Sequence, residues 1–217
     1  MDRIIQRLMI RYPALVPCRH DIEKAFGILS KCYESKNKLL ICGNGGSAAD
    51  ADHIVGELMK SFSRTRILPE SIQHNLKNTA PDRGAYLAST LQPALSAISL
   101  TCHSALNTAF ANDADPQLIF AQQVIGYGTE GDVLLAISTS GNAENVVDAV
   151  ITAKSIGLAT IALSGSSGGK LKEYCDVTIL VDGSTTGEIQ ELHLPVYHTL
   201  CEMLENKFFS VQAMENV

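Results

Sequence analysis

Short apolar runs alternate with longer stretches of helical periodicity along most of the chain. Each run contains five to seven residues and is followed by small or polar residues. Runs of this length, bounded by turn-forming residues, are typical of buried β-strands. They predict five strands, at residues 38–42, 94–100, 132–137, 158–163 and 176–181.

The stretches between the strands carry apolar residues at the three- and four-residue spacing of amphipathic helices, as Ile22, Ala25 and Leu29 illustrate. Residues 63–92 lack this pattern, and they are predicted to form a lid-like loop with room for one short helix. Elsewhere the periodicity predicts helices at residues 20–36, 47–62, 103–111, 115–127, 143–156 and 188–209, and a short helix after residue 169.

The predicted strands are almost continuously apolar, which indicates that both faces of the sheet are buried. Such strands, alternating with helices, are typical of α/β domains in which a parallel sheet lies between helical layers. We therefore expect a three-layer α/β sandwich, a single domain over residues 1–217, with N-terminal helices at about 1–36 and a lid-like insertion at about 63–92. Ligands of such sheets bind beyond the carboxyl ends of the strands.

Composition narrows the class of protein. Of the 217 residues, 46% are hydrophobic and 18% are charged, which argues against disorder. The net charge of −6 argues against nucleic-acid binding. No apolar run is long enough to span a membrane, and the N-terminal segment lacks the features of a secretory signal. The six cysteines form no CxxC pair, which favours buried thiols in a reducing cytoplasm over a disulfide framework.

A glycine-rich loop, Gly43-Asn-Gly-Gly-Ser-Ala48, follows the first predicted strand. Its G-x-G-x-x-A spacing fits a dinucleotide-binding turn, but the acidic residue that such a site needs about twenty residues later is missing from Ser61–Arg66. The dinucleotide is therefore the weaker interpretation. A turn capped by Ser47 and an anion site at the helix N-terminus are the others, and the density of glycine favours the anion.

Three successive hydroxyl residues, Ser138, Thr139 and Ser140, end the clearest predicted strand and precede a helix. A helix cap alone needs only one hydroxyl group. Three hydroxyl groups beside free backbone N–H groups suit a phosphate better, so this loop is predicted to bind one.

Candidate proton-transfer and metal-binding residues lie on two predicted helices. His53 and Glu57, four residues apart, share one face of the helix after the glycine loop. Gln190, His193 and His198 lie on the last helix. A solvated pair is the ordinary interpretation of an isolated His and Glu, but both helices begin at the expected ligand-binding edge of the sheet.

These residues resemble the sugar isomerase (SIS) domain family, and within it the phosphoheptose isomerases. The matching stretches are CGNGGSAADADHIVGEL (42–58), NDAD (112–115), GDVLLAISTSGNAENV (131–146) and EIQELHLPVYHTLCEMLE (188–205). The resemblance implies a five-stranded parallel sheet of the SIS fold, a homotetramer with active sites between subunits, and isomerisation of sedoheptulose 7-phosphate through an enediol.

The resemblance also implies roles for individual residues. Glu57 and His198 would carry the proton transfers, and zinc would be the metal. Residues that would bind the sugar phosphate are Asn44, Gly45, Gly46, Ser47, Asn112, Asp113, Ser138, Thr139, Ser140 and Gln190. Residues that would form the metal site are His53, Glu57, Gln190 and His198. Ala143, Gly187 and Glu188 depart from the pattern of the heptose enzymes.

Two questions stay open at this stage. Gln190 and His198 are eight residues apart, about 12 Å along a helix. Either the two side chains lean toward one metal, or the site uses them separately, across a subunit boundary. The second question is whether the chain is an enzyme, a non-catalytic SIS module that senses a sugar phosphate or associates with a replication initiator, or an isomerase of another phosphosugar. His198 favours the enzyme, because the initiator-associating branch lacks a histidine at that position.

Overall fold

A five-stranded parallel sheet forms the centre of the protein in the computed structural model, which describes residues 2–209. The strand order is β2-β1-β3-β4-β5, and every neighbouring pair is parallel. The predicted α/β fold is confirmed, although the second strand is shorter than expected. The strands are β1 (Leu39–Gly43), β2 (Ala97–Ser99), β3 (Val133–Ser138), β4 (Ala159–Gly165) and β5 (Val177–Val181).

Ten α-helices among the described residues cover the two faces and the ends of the sheet. They are α1 (Asp2–Arg11), α2 (Arg19–Glu34), α3 (Gly46–Met59), α4 (Glu70–Thr79), α5 (Pro81–Thr90), α6 (Ser104–Asp113), α7 (Ile119–Tyr127), α8 (Glu144–Ser155), α9 (Leu171–Tyr174) and α10 (Thr186–Phe208). Two 3-10 helices, Pro13–Cys18 and Pro116–Leu118, precede α2 and α7.

The sheet separates two apolar cores, because neighbouring residues of a strand point to opposite faces. On one face Ile41 and Leu135 pack with residues of α1, α2, α3 and α10. On the other face Leu40 and Leu134 pack with residues of α7 and α8. Every residue of β1 and β3 is buried, as the continuous apolar runs predicted.

The segment 63–92 differs from its prediction as a loop with one short helix. It contains α4 and α5, which pack mainly on each other as a hairpin. Pro81 starts α5 at a position where a helix tolerates proline, and Gly84 lies so close to the Leu76 carbonyl that a Cβ atom there would overlap it. No residue of α4 is buried, so none of its side chains belongs to either apolar core.

The carboxyl ends of β1 and β3 lie side by side, with Gly43 paired to Ile137. The glycine-rich loop and the hydroxyl loop are therefore neighbours, and α3 and α8 start from them. Among residues 2–209, no helix has both the length and the apolar character needed to cross a bilayer.

Candidate active site

The two loops form one open pocket, of about 330 Å³, at the carboxyl edge of the sheet. The Asn44 and Asn145 side-chain amides pair with each other, at 2.8 and 2.9 Å, and tie the glycine loop to the start of α8. The pocket lining includes Asn44, Gly45, Gly46, Ser47, Ser138, Thr139, Ser140, Ala143, Thr186 and Gln190. Eight of the sequence-predicted substrate-binding residues therefore lie together.

Three helices direct their N-termini at this pocket. Gly46 is the first residue of α3, Ala143 is the N-cap of α8, and Thr186 is the first residue of α10, and all three line the pocket. A helix N-terminus carries unpaired N–H groups and about half a positive charge, so each one favours an anion. With the hydroxyl groups of Ser138, Thr139 and Ser140, the pocket has the donors that a phosphate needs, and we call it the anion pocket.

Two glycines shape the pocket. Gly45 adopts a φ of +55°, which side-chain-bearing residues rarely reach. Gly46 lies against the side-chain amide of Gln190, and a Cβ atom at Gly46 would overlap that amide. The glycine density therefore lets α3 and α10 approach at the pocket, which a capping turn alone would not require.

A second group of functional side chains lies where α3 and α10 cross. The Nε2 atom of His53 is 3.2 Å from Glu57 Oε1 and 3.3 Å from His198 Nε2. One nitrogen or oxygen from each of the three residues lies within 4.8 Å of the others. Helical spacing places His53 and Glu57 on one face of α3, and α10 adds His198.

The chemistry of this cluster, His53, Glu57 and His198, suits a cation. Two imidazole nitrogens and a carboxylate are typical zinc donors. Glu57 Oε2 is buried and has no hydrogen-bond partner among the described residues, and its nearest cation is the Lys60 ammonium at 3.6 Å. Burial, and to a smaller extent the neighbouring His53, lowers the pKa of His198, which favours the neutral ring that a metal ligand or proton acceptor needs.

The sequence pattern of the SIS domain family matches residues 18–83 and 75–165. The chain belongs to the SIS domain family. A protein named probable phosphoheptose isomerase, from Thermoplasma acidophilum, is 41% identical over 191 residues, which are 87% of this chain and 91% of that protein. The phosphoheptose isomerase of Crocosphaera subtropica is 38% identical over 89% of this chain and 86% of its own length.

Solved structures agree with this assignment. A phosphoheptose isomerase from Francisella tularensis superposes with a TM-score of 0.73 at 32% identity, covering 93% of this chain and 92% of that one. The Neisseria gonorrhoeae phosphoheptose isomerase gives a TM-score of 0.67 at 30% identity, covering 93% and 98%. The chain is therefore an aldose–ketose isomerase of sugar phosphates in the phosphoheptose isomerase branch of the SIS family.

Within this SIS domain, Gln190 lies apart from His198. Gln190 contacts the glycine loop and lines the anion pocket, whereas His198 contacts His53 and lines a separate pocket between α1 and α10. Helix α10 continues through Pro195, so the two residues keep their separation of about 12 Å along the helix axis. Of the four residues predicted for the metal site, the structure brings three together, His53, Glu57 and His198.

Asn112 and Asp113 lie in neither group of the SIS domain. They end α6, both are exposed, and the Asn112 amide donates to Asp113 at 2.8 Å. Neither residue is part of the anion pocket or of the His53, Glu57 and His198 cluster.

The sequence leaves His193 either to orient a neighbour or to face solvent, and its full burial between α10 and the sheet excludes the solvent-facing alternative. Burial lowers its pKa to about 4, and the adjacent Ser164 backbone only partly offsets this effect. Neither ring nitrogen makes a hydrogen bond of good geometry within the described residues. His193 is therefore a neutral core residue of the SIS domain at physiological pH.

Two pairs of polar residues, one partly buried and one fully buried, support the cluster and were missed by sequence reasoning. Tyr197 contacts Asp50 and His53, and the buried ion pair of Arg66 and Glu205 joins the end of α3 to α10. Asp50 lies one turn before His53, which is a signal that could have been found. Arg66 lies in the segment 63–92, where the sequence shows no periodicity that would give such a signal.

Proposed function

We propose that this SIS domain interconverts sedoheptulose 7-phosphate and an aldose heptose 7-phosphate through an enediol. The observation that carries the proposal is the presence, in one fold, of an anion pocket and a cluster of one carboxylate and two histidines. The names of its relatives from Thermoplasma acidophilum and Crocosphaera subtropica support a heptose as the sugar.

In this proposal, the pocket at the carboxyl edge of the sheet binds the phosphate. Ser138, Thr139 and Ser140 hold the phosphate with the help of the three helix N-termini, and Asn44, Gly45, Gly46, Ser47 and Gln190 contact the phosphosugar. An anchor at the phosphate positions the reacting carbons without taking part in the chemistry.

In this proposal, Glu57 and His198 transfer the protons. Glu57 takes the proton from the carbon next to the carbonyl, for which its Oε2 atom has no competing hydrogen bond among residues 2–209. His198 moves protons at the substrate oxygens, and its lowered pKa keeps the ring neutral and able to accept a proton.

Zinc fits the donor set of His53, Glu57 and His198. Gln190, the proposed fourth residue, would come from a second copy of the chain, because within one copy it lines the other pocket. A bound zinc would polarise the substrate carbonyl and stabilise negative charge on its oxygen. His53 is then the residue whose role is to hold the metal, while Glu57 and His198 also face the substrate.

The assay that tests the function follows sedoheptulose 7-phosphate by NMR in the presence of the purified protein. We expect signals of an aldose heptose 7-phosphate to appear, and five- and six-carbon sugar phosphates to react more slowly. Ser138→Ala should weaken substrate binding by roughly 1.5–3 kcal/mol, because a hydrogen bond to a charged group is lost.

Ser155→Ala is the matched control, because Ser155 is an exposed serine at the end of α8, remote from the pocket lining. Binding of sedoheptulose 7-phosphate without any interconversion, with zinc supplied, would contradict the proposal. It would favour the non-catalytic sensor.

A homotetramer with active sites between subunits is the proposed assembly. Within one subunit, Gln190, Asn112 and Asp113 lie away from the cluster of His53, Glu57 and His198. In an oligomer, a second copy could bring its own Gln190, Asn112 and Asp113 to that cluster. Large apolar side chains of the hairpin region are also exposed, including Ile72 (45%), Tyr86 (53%) and Leu91 (49%), which suits burial against another subunit. Light scattering should give four times the 23.3 kDa chain mass, and a stable monomer at micromolar concentration would contradict this assembly.

The cytoplasm is the proposed location. All six cysteines are free thiols within the described residues, and four of them are buried. Unpaired buried cysteines are typical of proteins from reducing compartments.

A further inference from the structure

A buried tyrosine hydroxyl joins the metal-binding cluster to an aspartate. Tyr197 precedes His198 on α10, and only 1% of its surface is exposed. Its hydroxyl group donates to Asp50 Oδ1 at 3.1 Å, and the same oxygen lies 3.1 Å from His53 Nδ1. Asp50 is one helical turn before His53 on α3, so three side chains form a continuous chain of hydrogen bonds.

With Asp50 ionised, the protons in this chain have one consistent arrangement. An ionised aspartate only accepts hydrogen bonds, and a tyrosine hydroxyl has one proton to give. The ordinary pKa of a tyrosine hydroxyl is about 10, so the hydroxyl keeps its proton at neutral pH. Since the proton points to Asp50, the hydroxyl oxygen must accept from His53 Nδ1–H.

We propose that Asp50 and Tyr197 are positioning residues that hold His53 in its Nδ1-protonated tautomer, so that the Nε2 lone pair faces the centre of the cluster. As far as it concerns zinc, this proposal rests on the proposed function. The partner of one ring nitrogen decides which tautomer a histidine adopts, and so which nitrogen can bind a metal.

The geometry around Nε2 explains why this tautomer matters. With its proton on Nδ1, a neutral His53 presents a lone pair to Glu57 Oε1 at 3.2 Å and to His198 Nε2 at 3.3 Å. Electron-rich atoms this close repel one another unless a proton or a cation lies among them. The Asp50–Tyr197 pair therefore biases the cluster toward binding a cation.

Tyr197→Phe tests the proposal, because it removes the hydroxyl group and keeps the ring that packs in the core. We expect zinc affinity, measured by competition with a chelator of known affinity, to fall by about 10- to 100-fold. In the metal-free protein at about pH 8, where histidines are neutral, long-range ¹H–¹⁵N NMR should show His53 change from the Nδ1–H tautomer to a mixture.

Tyr33→Phe is the matched control. Tyr33 is also buried, but its hydroxyl group has no hydrogen-bond partner among residues 2–209. Removing that group should therefore leave both the zinc affinity and the His53 tautomer unchanged.

Variants of Asp50 separate positioning from a general loss of structure. In Asp50→Ala the tyrosine proton is free to turn toward His53 Nδ1, so the tautomer should reverse and zinc affinity should fall further than in Tyr197→Phe. In Asp50→Asn the amide oxygen still accepts from Tyr197, so the wild-type tautomer should be retained.

Two results would overturn the proposal: an Nε2–H tautomer of His53 in the metal-free wild type, or wild-type zinc affinity and tautomer in Tyr197→Phe. Failure of the proposed function gives a different result. If the wild type binds no zinc but Tyr197→Phe still changes the tautomer, the positioning role is supported and the zinc assignment fails.

Discussion

Glu57→Gln should leave sugar-phosphate binding nearly intact and lower turnover by about 10²–10⁴, the usual contribution of a positioned acid or base. The amide has the shape of the carboxylate but cannot take the proton from the carbon next to the carbonyl. The anion pocket, which the substitution does not touch, still holds the phosphate. Steady-state kinetics with a heptose phosphate separates the two effects, since kcat should fall while the dissociation constant for the phosphosugar changes little.

Deuterium exchange tests the role of Glu57 more directly. In D₂O the wild type should exchange the carbon-bound proton next to the carbonyl, and Glu57→Gln should not. Glu23→Gln, at a half-buried glutamate of α2 that pairs with Arg19, is the matched control and should exchange normally. Because Glu57 is also a proposed metal ligand, the zinc content of each variant is measured alongside. Exchange at the wild-type rate in Glu57→Gln would show that another group is the base.

The sheet was predictable because its strands are buried on both faces. A run such as residues 133–137 contains only apolar residues, as expected of a strand between two helical layers, and four of the five strands lie within about two residues of their predicted bounds. The hairpin of α4 and α5 was not predictable by the same argument. Its helices are stabilised by one another, through the close approach of Gly84 to Leu76, and not by a stripe facing the core.

The candidate site was likewise predictable only in part from the sequence. Positions fixed by local sequence, such as the loops after β1 and β3 or the helical spacing of His53 and Glu57, were available from the sequence. Helical rise gave the distance between Gln190 and His198 along the helix, but it left open whether the two side chains meet at one metal. The contacts of Tyr197 with Asp50, 147 residues away, and of Glu205 with Arg66, 139 residues away, depend on how α3 and α10 cross. No periodicity encodes that crossing.

The buried ion pair of Arg66 and Glu205 holds the end of α3 in place. Both side chains are fully buried, and Arg66 Nε lies 2.9 Å from Glu205 Oε1. The Arg66 guanidinium also donates to the backbone carbonyls of Glu57 and Leu58, at 3.0 and 2.7 Å, which lie in the last turn of α3. Glu205 in turn accepts from the backbone of Phe62 and Ser63. One pair therefore caps the helix that carries Glu57 and fixes it to the helix that carries His198.

Arg66→Met should destabilise the protein by about 3–5 kcal/mol, because it leaves the Glu205 carboxylate buried without its counter-ion and the carbonyls of α3 without a donor. Urea unfolding measures the loss. Arg19→Met, which breaks the exposed pair with Glu23, should cost less than about 1 kcal/mol. Equal losses in the two variants would show that the buried pair has no special role.

The pH dependence of stability gives an independent test of the same pair. Burial raises the pKa of Glu205, but the hydrogen bonds from Phe62, Ser63 and Arg66 outweigh it, and the net pKa lies below the usual 4.5. A carboxylate of this kind stabilises the fold above the pKa of the unfolded chain, and the contribution is lost as the pH falls toward the folded-state pKa. Wild type should therefore lose stability as the pH falls below about 4.5, and Arg66→Met should lose less over the same range, because the carboxylate has already lost its cation. Parallel stability curves for the two proteins through this range would show that Arg66 makes no contribution to the lowered pKa of Glu205.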